Sequence, residues 1–201
     1  MLENITWLGH AGFKIKGEKI VYIDPFKIND AEPADIIIIT HEHFDHLSPD
    51  DIKKIQTGKT IIVTTPDCYS KVSGNVKTIS PGKTLDIGGI KIEAVPAYNI
   101  NKQFHPKANS WIGVIVTING KRIYHAGDTD NIPEMATLRN IDIALLPVSG
   151  TYVMTAEEAA DAASKIMPKV AVPMHYGAIV GTKADAERFK KLCKCRVEIL
   201  W

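Results

Sequence analysis

Over its first two thirds the chain alternates short apolar runs with glycine-containing breaks, the pattern of strands joined by turns. Runs over 4–8, 13–16 and 19–23, punctuated by Gly9, Gly12 and Gly17, predict a meander. The run Ile36-Ile37-Ile38-Ile39 offers an apolar side chain to both faces, so it predicts a central strand covered on both sides. Further strands are predicted over 60–64, 76–79, 84–87, 90–96, 111–118, 122–125, 141–146, 170–173 and 197–200. Helical signals interleave with them. Ser48-Pro49-Asp50-Asp51 supplies an N-cap, a proline at the first helical position and acidic residues for the dipole, which predicts a helix over about 49–55. Thr155-Ala156-Glu157-Glu158 is a capping box, followed by an inward stripe of Ala159, Ala160, Ala163, Ile166 and Met167. A third helix starts over 182–185, with Phe189 and Leu192 inward. Strands and helices alternate in both halves without a linker, short-period repeat or low-complexity segment. The expectation is therefore a single domain over 1–201 of α/β class, two sheets with helices packed outside them.

Composition narrows the partners. The 201 residues carry a formal net charge of +1 and are 45% hydrophobic, ordinary for a globular protein with a stable core. Lysines are spread along the chain without a basic run, which argues against nucleic acid, and no apolar run reaches membrane-spanning length. The start of the chain, Met1-Leu2-Glu3-Asn4-Ile5, has neither the shape of a signal peptide nor that of a transit peptide, so a cytoplasmic protein is expected. Cys68, Cys193 and Cys195 are an odd set that reads as free thiols, with no third or fourth ligand near the Cys-x-Cys pair in sequence. The expected partner is a small-molecule substrate, and oligomeric state is not legible.

Candidate chemistry concentrates in Thr40-His41-Glu42-His43-Phe44-Asp45-His46, where three histidines and an aspartate fall within six residues. Such an arrangement should arise by accident on the order of once in 2,000 sequences of this composition. Imidazole and carboxylate together suit Zn²⁺, with Mn²⁺ and Fe²⁺ as competitors, and the lack of thiolates favours an open catalytic site over a structural clip. If the segment is extended, His41, His43 and Asp45 point one way and His46 serves a different centre. Other acids and imidazoles also follow apolar runs: Asp24 after 19–23, Asp128 after 122–126 and His175 after 170–174. Strand ends are where loops converge above a rigid platform, so these residues are expected to meet. His105, in a polar loop after Pro96, is the best remaining imidazole. His125 reads as a packed or supporting histidine, His10 equally as pocket-lining or structural, and Asp130 as a solvated turn residue.

The His41-x-His43-x-Asp45-His46 string, Gly127-Asp128-Thr129-Asp130 and Pro173-Met174-His175-Tyr176 together resemble the metallo-beta-lactamase superfamily, specifically its small stand-alone metal-dependent hydrolases. Trp7-Leu8-Gly9-His10-Ala11-Gly12-Phe13 and Ile23-Asp24-Pro25 are similar to the group that includes ascorbate phosphate lactonases and N-acylphosphatidylethanolamine phospholipases. The resemblance spans essentially the whole chain. It implies a four-layer αββα sandwich with two divalent transition metal ions along one edge of the sheets. His41 and His43 would hold the first ion, Asp45, His46 and His175 the second, and Asp128 would bridge. Family members often place the first ion's third histidine directly after a strand, where this chain has Ala97-Tyr98-Asn99; His105 is the candidate in its place. The implied activity is hydrolysis of a small ester, lactone, amide or phosphodiester by a metal-activated water; Asp45, beside the bridging position, is the expected catalytic residue, to orient that water or take its proton, and loop position offers Tyr98, Asn99 or Tyr176 to substrate. Two rival readings are an RNA-processing nuclease of the superfamily and a non-catalytic metal or metabolite sensor on the same fold.

Overall fold

Ile36, Ile37, Ile38 and Ile39 are all fully buried, and they divide between two apolar layers. Ile36 and Ile38 enter the core between the sheets, while Ile37 and Ile39 pack beneath a helix on the outer face. The run is therefore the inner strand that its unbroken apolar pattern predicts. The computed structural model describes residues 2–29 and 32–200; residues 1, 30, 31 and 201, which belong to the span expected as one domain, lie outside the described residues.

The first sheet comprises β1 (Ile5–Gly9), β2 (Gly12–Lys16), β3 (Ile20–Ile23), β4 (Ile36–Ile38), β5 (Ile61–Thr64) and β6 (Asn75–Thr78), adjacent in that order. Its β1-β2-β3 part is an antiparallel meander, and β3 to β6 run parallel. The second sheet repeats that plan. Strands β7 (Thr84–Ile87), β8 (Ile90–Pro96), β9 (Ile112–Ile118) and β10 (Lys121–His125) are antiparallel neighbours. Strands β10, β11 (Ile143–Pro147), β12 (Val170–Met174) and β13 (Arg196–Val197) then run parallel. In both sheets the parallel strands send their carboxyl ends into loops rich in polar residues, and this is what places the site.

Helices cover the outer faces and complete an αββα sandwich. Helix α1 (Pro49–Ile55) is capped by Ser48 and lays Ile52 and Ile55 on Tyr22, Ile37 and Ile62. Helix α2 (Ala156–Ile166) begins at the Thr155–Glu158 capping box and buries a smooth face of alanines ending in Ile166. Helix α3 (Lys183–Leu192) inserts Phe189. Two residues expected to face inward do not. Met167 caps α2 in the left-handed conformation, and that turn swings its side chain into solvent, 74% exposed. Leu192 ends α3 and is 44% exposed, because only Ala186 and Phe189 of that helix are buried.

Candidate metal centre

Six of the seven histidines meet at the strand ends. The 41–46 segment is a turn rather than a strand: the amides of His46 and Leu47 both donate to the His43 carbonyl. The simple alternation expected for an extended segment is thereby lost, and Asp45 sides with His46. One set is His41, His43 and His105; a second is His10, Asp45, His46 and His175; within each, the potential ligand atoms lie within 4.8 Å of one another. Asp128 stands between the sets, with Oδ1 3.2 Å from His46 Nε2 and Oδ2 3.2 Å from His105 Nε2 and 3.0 Å from His175 Nε2.

Those short approaches are not hydrogen bonds. The Nε2 atoms of His46, His105 and His175 and Oδ1 of Asp128 are buried and, among the described residues, have no hydrogen-bond partner. Unpartnered buried polar atoms are costly, and several pointing into one small volume are what a bound cation would satisfy. The donor set of imidazoles and carboxylates fits a borderline metal ion such as Zn²⁺.

The opposite ring nitrogens show how the chain sets this up. Asp24, fully buried, accepts from the Thr40 amide (2.8 Å), the Thr40 hydroxyl (2.6 Å) and His46 Nδ1 (2.7 Å). With its proton given to Asp24, the Thr40 oxygen is an acceptor for His41 Nδ1 at 3.0 Å. His105 Nδ1 donates to Asn99 Oδ1 (3.1 Å), and His175 Nδ1 pairs with the Ser149 hydroxyl (3.1 Å). Holding the proton at Nδ1 leaves Nε2 as the lone-pair side, the usual way that outer groups orient metal-binding histidines. His41 Nε2 in turn lies 3.1 Å from His43 Nδ1.

Electrostatics follow the same geometry. Burial works against ionisation of Asp128, but the imidazoles of His175 and His46 outweigh it and hold its carboxyl well below the usual range. Burial likewise opposes charge on His46, and the carboxylates of Asp128 and Asp24 overcome it, raising this imidazole well above its ordinary value. His41, buried and facing His46, is pushed the other way. For Asp45, burial is outweighed by the hydrogen bond from His10 Nε2 (2.9 Å) and by the charge of His46, so its carboxyl is lowered.

Several residues take places that the sequence did not reveal. Asp130, expected to be a solvated turn residue, is buried, because its carboxylate accepts from the Ile100 amide (2.8 Å), Lys102 Nζ (2.6 Å) and Asn99 Nδ2 (3.1 Å). Asn99, expected to meet substrate, turns inward to hold His105. Tyr98 directs its hydroxyl to Glu134 (2.9 Å), and Tyr176 stacks on Trp7 with ring centroids 4.9 Å apart. None of these three lines the cleft over the histidines. His125 is a packed histidine: Nε2 donates to the Ala11 carbonyl (2.8 Å) and Nδ1 accepts from the Gly127 amide (3.1 Å). Trp111 backs the first set, its ring 4.9 Å from His41 and 4.8 Å from His43. His10 and Asp24 carried a signal, since each borders a strand end; Ser149 carried none.

Comparison with known proteins gives a consistent picture. Residues 4–175 match a family model described as a beta-lactamase superfamily domain. The UPF0173 metal-dependent hydrolase of Thermoplasma volcanium is 35% identical over 202 residues, covering 94% of this chain and 90% of that protein. A UPF0173 metal-dependent hydrolase of Pyrococcus abyssi is 36% identical over 220 residues, covering 99% and 96%. Among solved structures, a candidate metal-dependent hydrolase from Parabacteroides distasonis superposes with a TM-score of 0.88 at 38% identity, covering 97% of this chain and 91% of that one. Igni18, a metallo hydrolase from Ignicoccus hospitalis, shares the fold with a TM-score of 0.78 at 23% identity, covering 98% and 94%.

Proposed function

The chain belongs to the beta-lactamase superfamily and to the UPF0173 metal-dependent hydrolases, and from that premise we propose that it hydrolyses a small-molecule ester, lactone, amide or phosphodiester at a two-ion centre. The observation that carries this reading is the set of buried, unpartnered imidazole and carboxylate atoms that converge around Asp128. His41, His43 and His105 would hold one ion, Asp45, His46 and His175 the other, and Asp128 would serve both; Zn²⁺ suits these donors best, with Mn²⁺ or Fe²⁺ next. When bound, such ions lower the pKa of water and stabilise negative charge developing on a carbonyl or phosphoryl oxygen.

The remaining work falls to the chain's own groups. Asp45 borders the cleft and stays ionised beside His10 and His46, so it is placed to orient the attacking water or to take its proton. His10 fixes that carboxylate through Nε2. Asp24, Asn99 and Ser149 keep protons on the far side of their histidines. Among the described residues the cleft is lined by no lysine or arginine, and the net charge is +1, which supports a small molecule over nucleic acid as partner. Among the described residues no helix is long and apolar enough to cross a membrane. Three free thiols suit a reducing, cytoplasmic setting.

The test is a hydrolysis panel on Zn-, Mn- and Fe-loaded protein, with metal content measured beside it and His43→Ala as control. Two ions per chain and turnover that His43→Ala abolishes are expected. Protein that binds no stoichiometric metal, or a variant with unchanged metal content, would overturn the assignment.

A further inference from the structure

Three loops distant in sequence each place an apolar side chain at the mouth of the metal cleft and leave it in solvent. Phe44, after β4, is 68% exposed; Phe104, after β8, 49%; Ile179, after β12, 39%. With Tyr152 they wall a cleft of about 280 Å³ whose floor holds His43, His105 and Asp128. A lone exposed apolar residue needs no explanation, but a group converging from separate loops on one concave site marks a binding surface. The rings are also braced: Phe104 meets Tyr152 edge-on at 4.6 Å between centroids, and Phe44 meets Phe26 at 5.8 Å. Bracing by other rings lets an aromatic side chain stand ready at low entropic cost.

Charge completes the argument. Among the described residues no lysine or arginine lines the cleft, and the ammonium of Lys102, two residues before Phe104, is engaged 2.6 Å from Asp130. An anionic group on the part of a substrate away from the metals would thus meet apolar walls with no counter-charge. At about 30 Å³ per water, the volume equals that of roughly nine waters, which suits a small substrate group.

We infer that the cleft selects substrates whose group beyond the scissile bond is uncharged and apolar, an aromatic ring or a branched alkyl chain, seated between Phe104, Tyr152, Phe44 and Ile179. This rests on the reading of the floor as a hydrolytic metal centre, and it narrows that reading away from substrates bearing a second anionic group.

Metal-chelating hydroxamates test the two levels separately, by calorimetry on the zinc-loaded protein. Phenylacetohydroxamate should bind about tenfold more tightly than acetohydroxamate, whereas the monohydroxamate of succinic acid, with a carboxylate in place of the ring, should gain nothing. Phe104→Ala should cut the phenyl advantage to about threefold or less. Because Phe104 adjoins His105, Ile179→Arg gives a second reading from another loop: it should favour the carboxylate-bearing probe severalfold over wild type. If the charged probe binds as well as the phenyl probe in wild type, or the phenyl advantage survives both substitutions, the apolar selection is wrong while the metal centre stands. If protein carrying its ions fails to bind even acetohydroxamate, the reading of those ions as an open hydrolytic centre falls and takes the inference with it.

Discussion

His46 lies 3.2 Å from one oxygen of Asp128 and His105 lies 3.2 Å from the other, yet the chain holds these two histidines by different means. His46 hangs from the parallel strands. Its anchor, Asp24, follows β3, its own turn follows β4, and Asp24 also binds both the amide and the hydroxyl of Thr40, so one buried carboxylate ties two adjacent strand ends together. His105 hangs from a loop. Asn99 grips it with three contacts: the Asn99 amide donates to the His105 carbonyl (2.8 Å), and Asn99 Oδ1 accepts from both the His105 amide (2.9 Å) and its ring. Asn99 is braced in turn by Asp130 and the Tyr152 carbonyl. The contrast teaches that His41, His43 and His46, on the turn after β4, share the stability of the core, while His105, the third histidine of the first set, depends on a side-chain clamp that can loosen locally.

Asp24→Ala should produce the largest effect. It strands the Thr40 amide and His46 Nδ1 in a fully buried site and frees the His46 ring and, through the Thr40 hydroxyl, the His41 ring to take the wrong tautomer. We expect a loss of about 3–5 kcal/mol in urea unfolding together with loss of both ions by elemental analysis. A variant of normal stability that keeps two ions would show that this carboxylate is not the anchor of the strand-borne half.

Gly127→Ala comes next, because it strikes the residue before Asp128 that both halves share. Gly127 has a φ of +63°, and an added Cβ would sit 2.6 Å from the Ile112 carbonyl oxygen. The left-handed backbone and the clash together should cost about 2–3 kcal/mol and weaken both ions alike. Weakening of only one ion would mean that Asp128 serves a single half.

Asn99→Ala should separate the halves. Binding of one ion is expected to weaken 10–100-fold in competition titrations with a chelator, with the other ion unaffected and the melting temperature moved by a few degrees at most. Equal weakening of both would abolish the distinction between core-borne and loop-borne ligands.

The same distinction explains what could be read from sequence. The strand-borne parts were legible because periodicity and position coincide: Ile36 to Ile39 announces an inner strand, and Asp24, Asp128 and His175 each follow an apolar run. The two sheets and three helices follow from such local signals; the errors fall at helix ends, where the left-handed cap at Met167 breaks the stripe, and at the 41–46 segment, which turns where an extended run was expected. The clamp was not legible. That Asn99 reaches forward across six residues to His105, or that Asp130 turns inward to bind Asn99, depends on how a polar loop closes, and no periodicity records that. His10 was visible as a turn histidine, but its place beside Asp45 depends on the first strand pair meeting the 41–46 turn.

Lys102→Met probes the outermost support of the loop-borne half and should give the smallest effect. The ammonium, partly buried, sits 2.6 Å from Asp130 Oδ1, but that carboxylate keeps its bonds from the Ile100 amide and from Asn99 when the lysine is gone. An ion pair this close to the surface, with a partner that retains other donors, contributes about 1 kcal/mol. We therefore expect roughly threefold weaker binding of the ion that Asn99→Ala affects, with no change in the other. The double variant Lys102→Met/Asn99→Ala sharpens the point. If Lys102 acts only through Asp130 and Asn99, adding its substitution to Asn99→Ala should weaken binding no further, whereas effects that simply multiply would show a separate route from the lysine to the metal centre.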